Sequence, residues 1–247
     1  MSAAARVGWV VDAQNDFLLP PEEGGRLYVR NLFDNGEDAG ARLAVPALER
    51  AVRWMNAHCD VIVYTGDWHA HGDAEIDPVA PDASRGTYPP HCMGLSEDGD
   101  EREGAWIIAS IRPENPVILA RDATAEDARR AARVATDERR PIFIQKNRFS
   151  VFEGNPATDE LMRALAARLG TAPEYYVAGV ARDVCVKGAV EGMLEESRRI
   201  AVTVVTDATW GLGIEDEATS LANWIGAGAA LITTAGLALR PAQKTAP

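Results

Sequence analysis

The sequence predicts an α/β fold, a parallel sheet held between two layers of helices in a three-layer α/β/α arrangement. Three observations predict it. Short apolar runs rich in Val and Ile alternate with longer segments whose apolar residues recur every three or four positions. The short runs are apolar at consecutive residues rather than at every second one, as expected of strands covered on both faces. No internal repeat, low-complexity linker or domain boundary interrupts the alternation, so residues 1–247 read as one domain.

The elements follow in order. RVGWVVD (6–12) is a strand, VPALERAVRWMNAHC (45–59) an amphipathic helix and VIVYTGD (61–67) a second strand. Residues 68–103 are irregular and rich in Gly, Pro, Asp and His, a length that in a compact domain points to a working loop. AWIIASI (105–111) reads as a short helix and VILA (117–120) as a short strand. AEDARRAARVATDE (125–138) is a polar helix, with Thr124 and Asp127 spaced as a capping box. PIFIQK (141–146) is a strand, and ATDELMRALAARLG (157–170) a helix ending on Gly170. EYYVAGV (174–180) is a strand that feeds a helix through VCVKGAVEGMLEES (184–197). IAVTVVTD (200–207), EDEATSLANWIGAGA (215–229) and ALITT (230–234) give strand, helix and a last short strand, and the tail 240–247 is expected to be disordered.

Composition narrows the function. Hydrophobic residues are 47% and charged residues 25% of the chain, an ordinary balance for a protein with a large core. The net charge is -12 and no dense cluster of Lys and Arg occurs, which argues against nucleic acid or an anionic membrane as partner. No apolar run approaches the roughly 20 residues of a membrane span. The apolar part of MSAAARVGWVVDAQNDF is too short for a secretory signal before it meets Asp12. Three cysteines without CxxC spacing make no disulfide framework, so a reducing cytoplasm is the expected setting.

Ligands of an open parallel sheet bind beyond the carboxyl ends of its strands. Asp12 ends the first strand there, Asp67 the second with His69 two residues on, and Lys146 the strand 141–146. Cys185 follows the strand 174–180 at the start of a helix. Taken alone, Cys185 is either a small packing residue or a nucleophile. In this company the nucleophile gains weight. A helix start and a neighbouring Lys146 favour a thiolate, Asp12 can take the thiol proton and return it to a leaving amine, and the amides of the GVARDVC turn can hold an oxyanion. Cys59 and Cys92 have no such setting and read as packing residues.

Three of the four histidines lie between positions 69 and 91. Asp67 and His69 are two apart on an extended segment and face one side, and His91 can return across the loop. Two imidazoles and a carboxylate suit zinc, iron or manganese, with Glu75 as a further ligand; otherwise this is a loop of solvated polar groups. His71 would point elsewhere, and His58 sits at a helix end in a capping position.

The set VVDAQNDF, DWH, PPHC, QKNRFSVF and VAGVARDVCV resembles the isochorismatase-like cysteine hydrolase superfamily, and within it the nicotinamidase/pyrazinamidase branch. The resemblance runs from about residue 6 to residue 235. It implies a six-stranded parallel sheet, a catalytic triad of Asp12, Lys146 and Cys185, and a divalent metal, zinc first with iron or manganese as alternatives, on Asp67, His69 and His91, with Glu75 as an extra carboxylate. It implies a cis Val180–Ala181 peptide that places the Ala181 and Cys185 amides as an oxyanion hole, and a substrate pocket lined by Phe17 and Trp68. The implied reaction releases ammonia from a small carboxamide, nicotinamide first, through a thioester, in a dimer or larger homo-oligomer. The alternatives are another substrate of the superfamily (a ureido or carbamoyl compound, maleamate or isochorismate) or a binding module that kept the fold. The sequence departs from the family pattern in long segments at 30–43 and 76–87, after Lys146 in KNRFSVFEGN, and at Arg182, where nicotinamidases commonly have Thr; an Arg there could bind a substrate carboxylate or simply reach solvent.

Overall fold

In the computed structural model, which describes residues 4–240, seven strands form one wholly parallel sheet. The chain runs β1 (Arg6–Val11), α1 (Asn15–Leu18), α2 (Val45–His58), β2 (Val61–Asp67), α3 (Gly99–Gly104), β3 (Val117–Leu119), α4 (Ala125–Asp137) and β4 (Ile142–Lys146). It continues through α5 (Val151–Gly154), α6 (Thr158–Leu169), β5 (Glu174–Val180), α7 (Lys187–Leu194), β6 (Ala201–Trp210), α8 (Glu217–Gly226), β7 (Ala230–Ile232) and α9 (Thr234–Ala238). The spatial order is β3-β4-β2-β1-β5-β6-β7.

The strands form because their Val, Ile and aromatic residues are covered on both sides. Every residue of β2 is buried. Alternate side chains divide the core into two layers. Trp9, Val63, Ile144 and Val177 pack with α4, α6 and α7, while Val10, Tyr64, Phe143 and Tyr176 pack with α2 and α9. Each large apolar side chain removed from water contributes roughly 1.5–3 kcal/mol, which makes these layers the main source of stability. The helix signals act as expected. Thr124 and Asp127 exchange the reciprocal hydrogen bonds of a capping box, and Gly170 closes α6 in the left-handed conformation at φ 71°.

The sheet departs from the six strands implied by family resemblance. The two edges, β3 and β7, have three residues each, and together with the longer runs they make seven. The helix expected at 105–111 is only a 3₁₀ turn over Ala109–Ile111; before it, Ile107 bridges Gln14 in antiparallel fashion. The helix expected from 184 begins as a π turn over Arg182–Val186. At the C-terminus, Arg240 of the tail expected to be disordered bonds Glu174 at 3.3 Å, and residues 241–247 lie outside the described residues.

For the site, one feature of this order matters most. β1 stands between β2 and β5, and the chain leaves it first to one side and later to the other. The crevice beyond the carboxyl ends of β4, β2, β1 and β5 is therefore a topological switch point, where a parallel sheet binds ligands.

Candidate active site

Strand register brings the polar groups together. Asp67 and Lys146 are cross-strand partners at the ends of β2 and β4, and Asp12 follows β1 next to them, its backbone turned to φ 46°. Lys146 Nζ hydrogen-bonds Asp67 Oδ1, lies 2.9 Å from Asp12 Oδ2 and 3.8 Å from Cys185 Sγ, and donates to the Arg148 carbonyl at 3.0 Å. Thr65, two residues before Asp67 on the same face of β2, donates to Asp12 Oδ1 at 2.6 Å. Asp12, Asp67 and Cys185 offer atoms that all lie within 4.8 Å of one another. The groups expected on the rim are thus one cluster, and all are buried.

Burial controls its protonation. Removal from water, seconded by Asp67, raises the Asp12 carboxyl above its ordinary 3.8 despite Lys146 and Thr65. Burial also pushes the Cys185 thiol well up, with Asp12 and Asp67 adding to it and Lys146 opposing. Burial alone would drive the proton from Lys146, but Asp12, Asp67 and Cys185 hold its pKa well above the ordinary value, so it stays an ammonium. Burial thus opposes the thiolate that a helix start and Lys146 favour. Cys185 sits enclosed within the π turn.

The second group adjoins the first. Asp67 Oδ2 faces His69 Nε2 at 3.9 Å and His91 Nε2 at 4.0 Å, and these atoms lie within 4.8 Å of one another. Each imidazole is oriented through its other nitrogen: His69 Nδ1 stands 3.3 Å from Asp73, and His91 Nδ1 2.8 Å from the Pro89 carbonyl. His69 Nε2 is buried without a hydrogen-bond partner. Burial takes the His91 pKa down to about 4, against the pull of Asp67, so the ring is neutral at pH 7. Two inward-turned imidazole nitrogens, one of them orphaned, beside a carboxylate oxygen fit a divalent metal. Glu75 stands outside this group. Its Oε1 accepts from the Phe149 amide at 3.1 Å, its Oε2 is buried without a partner, and burial with the nearby Asp67 pushes its carboxyl up to about 7. His71 points away to Glu101, and His58 bonds the Trp54 carbonyl, both as expected.

A small apolar cavity of about 30 Å³ opens onto Cys185, Ala181, Asp67 and His91. Phe17 is one wall, its ring 5.4 Å from that of His91. Trp68 is not. It follows Asp67 and points to the opposite face of the strand, where it packs edge-on against Phe143 and Trp106. Arg182 is not a wall either. It turns away to pair with Glu217 at 3.2 Å, beside a separate hollow near Trp210. Of the remaining walls, Val184 belongs to the π turn, while Leu27, Val29, Tyr88, Phe149 and Leu212 come from irregular segments that carry no periodic signal. Thr65 and Asp73 were also missed, although the two-residue spacing of Thr65 from Asp67 was a usable sign. The Val180–Ala181 peptide is cis, as the resemblance implied, and Ala181 and Cys185 both border the cavity. A larger hollow of about 290 Å³ lies away from the cluster, between Cys59, Thr136 and Arg139; burial pushes the Cys59 thiol up to about 12, so it is inert.

The family model of the isochorismatase domain matches residues 112–236, just over half of the chain. The chain belongs to the isochorismatase family. Solved structures agree with this family's fold along nearly the whole length. A nicotinamidase/pyrazinamidase from Bacillus subtilis is 17% identical, with a TM-score of 0.60, covering 92% of this chain and 98% of that one. A pyrazinamidase of Pyrococcus horikoshii in complex with zinc is 22% identical, with a TM-score of 0.59 and the same coverage. An N-carbamoylsarcosine amidase from Thermoplasma acidophilum is also 22% identical, with a TM-score of 0.56, covering 93% of this chain and 96% of that one. No curated protein matches this member of the isochorismatase family. No helix among its described residues is long and apolar enough to cross a membrane.

Proposed function

We propose that this protein is a metal-containing cysteine amidohydrolase that releases ammonia from a small neutral carboxamide, nicotinamide first among the candidates, working as a cytoplasmic homo-oligomer. The observation that carries the reading is the convergence of Cys185, Asp12 and Lys146 with Asp67, His69 and His91 in one buried cluster, of which Cys185, Asp67 and His91 open onto an apolar cavity. The raised carboxyl of Asp12 suits a base that takes the thiol proton. The sulfur then attacks the amide carbon, and the Ala181 and Cys185 amides bind the developing oxyanion. As the C–N bond breaks, Asp12 returns the proton to the leaving nitrogen and ammonia departs. Asp12 next deprotonates a water, which cleaves the thioester to a carboxylic acid and restores the thiol. Lys146, tied to both carboxylates, keeps the negative charges at fixed positions throughout. A divalent ion held by Asp67, His69 and His91 would supply a Lewis-acid anchor for a substrate nitrogen or oxygen.

No Lys or Arg among the described residues lines the cavity, and Arg182 is engaged elsewhere. This favours nicotinamide over maleamate, isochorismate or a carbamoyl amino acid, whose carboxylates would find no cationic side chain on the cavity wall. The cavity measures about 30 Å³, with Tyr88 and Phe149 among its walls. The test is ammonia release by zinc-loaded protein supplied with nicotinamide, and separately with maleamate and N-carbamoylsarcosine. Release from nicotinamide alone is the expected result, and release only from the anionic compounds would overturn the neutral-substrate reading.

A further inference from the structure

The DAQND segment supplies more than its first aspartate. Gln14 and Asp16, two and four residues beyond Asp12, are both wholly buried. Gln14 Nε2 donates to the Asp67 carbonyl at 2.7 Å and to the Ala105 carbonyl at 2.6 Å, and its Oε1 accepts from the Asp67 amide at 2.8 Å. One side chain thus grips both backbone groups of Asp67. Asp16 Oδ2 accepts from the Cys92 amide at 2.6 Å, directly after His91, and the Cys92 carbonyl accepts from the His69 amide at 2.9 Å. A single residue, Cys92, therefore links Asp16 to both histidines through its two backbone groups. Asp16 is itself fixed by Arg26, whose amide and Nη1 reach Oδ1 at 3.2 and 3.3 Å. It also lies so close to Gly104 that a Cβ there would fall 2.3 Å from its oxygen.

We infer that Gln14 and Asp16 are positioning residues for the Asp67–His69–His91 cluster, Gln14 setting the carboxylate and Asp16 the two imidazoles, without touching the ion. This rests on the reading that the cluster holds a divalent metal. A residue that orients a ligand from behind changes metal affinity by about 10–100-fold when it is lost. The measurement is the zinc dissociation constant by competition with a chromogenic chelator, with manganese in parallel, on metal-free protein shown to be folded by circular dichroism and urea unfolding. Gln14→Met and Asp16→Ala are expected to bind zinc about 10–100-fold more weakly. Asp16→Asn, which keeps an acceptor for the Cys92 amide, is expected to stay close to wild type. If wild type binds tightly and the folded variants match it, the inference is overturned, because a merely structural role would lower the urea midpoint and leave affinity alone. Should Gln14→Met not fold, the Asp16 pair decides on the same terms. Wild type that binds neither metal overturns the metal reading and this inference together, a result that cannot be mistaken for the first.

Discussion

At the residue scale, Cys185 and Glu75 make separable predictions. Among the described residues, Cys185 is the thiol that joins the carboxylate cluster, within 4.8 Å of Asp12 and Asp67 and 3.8 Å from the Lys146 ammonium. Cys185→Ala is expected to remove ammonia release to background with the circular dichroism spectrum unchanged; retention of more than a few per cent of activity would refute the nucleophile. Glu75 has a pKa near 7 when folded and an ordinary value of 4.5. Between these the folded state holds more protons than the unfolded one, so its contribution to stability is full below pH 4.5 and is lost as pH rises through 7. In metal-free protein, Glu75→Gln should then gain on the order of 2 kcal/mol over wild type at pH 8 and little at pH 4.5, read from urea unfolding at both values. Equal gains at the two pH values would refute burial of the charged form as the cause. Asp12, Asp67 and Lys146 were legible because each stands at a strand end, a position that the apolar runs define, and Cys185 because it follows β5 in the turn that opens the next helix. Trp68 and Arg182 were misplaced because adjacency in sequence does not give side-chain direction: Trp68 takes the opposite pleat from Asp67, and Arg182 swings out of its turn.

At the element scale, the site depends on the close approach of β1 and β5. Gly179 pairs with Val11 in φ 129°, and a Cβ there would fall 1.9 Å from the Val11 carbonyl oxygen. Gly179→Ala cannot be absorbed by a side-chain shift, since the obstacle is backbone, so a loss of roughly 3 kcal/mol or more is expected along with activity. Thr124→Ala is the contrasting change. It removes the capping box at the exposed start of α4 and should cost about 1 kcal/mol with kcat and KM unaltered. Urea unfolding and steady-state kinetics on the pair test whether the β1–β5 junction, rather than stability in general, sustains the chemistry. Long elements such as α2, α4 and α6 were readable because two or more turns display their period. The four- and five-residue helices α1, α5 and α9 are too short to show one and exist only because neighbouring elements hold them.

For the whole molecule, the candidate metal cluster joins distant parts of the chain. Asp67 ends a central strand, while His69 and His91 bracket the irregular stretch that contains the long 76–87 segment and carries Tyr88, a wall of the cavity. An ion bound by all three ligands would tie that stretch to the sheet. It binds the folded state and not a chain whose ligands are dispersed, so it must stabilise the protein by mass action. At a free zinc concentration of 100 times the dissociation constant the gain is about 2.7 kcal/mol. For a chain of this size each kcal/mol moves the midpoint by about 2–4 °C, so chelation should lower Tm by about 5–10 °C and zinc should restore it. Cys185→Ala, whose sulfur is not one of the three ligands, should respond as wild type does. Asp67→Asn weakens the carboxylate ligand and should lose most of the response. A scan that shows no effect of chelator on wild type, or an equal effect on Asp67→Asn, would mean that the stabilising ion sits elsewhere or that the cluster holds none. The same scan separates metal from chemistry, because Cys185→Ala would lack activity and keep the thermal response.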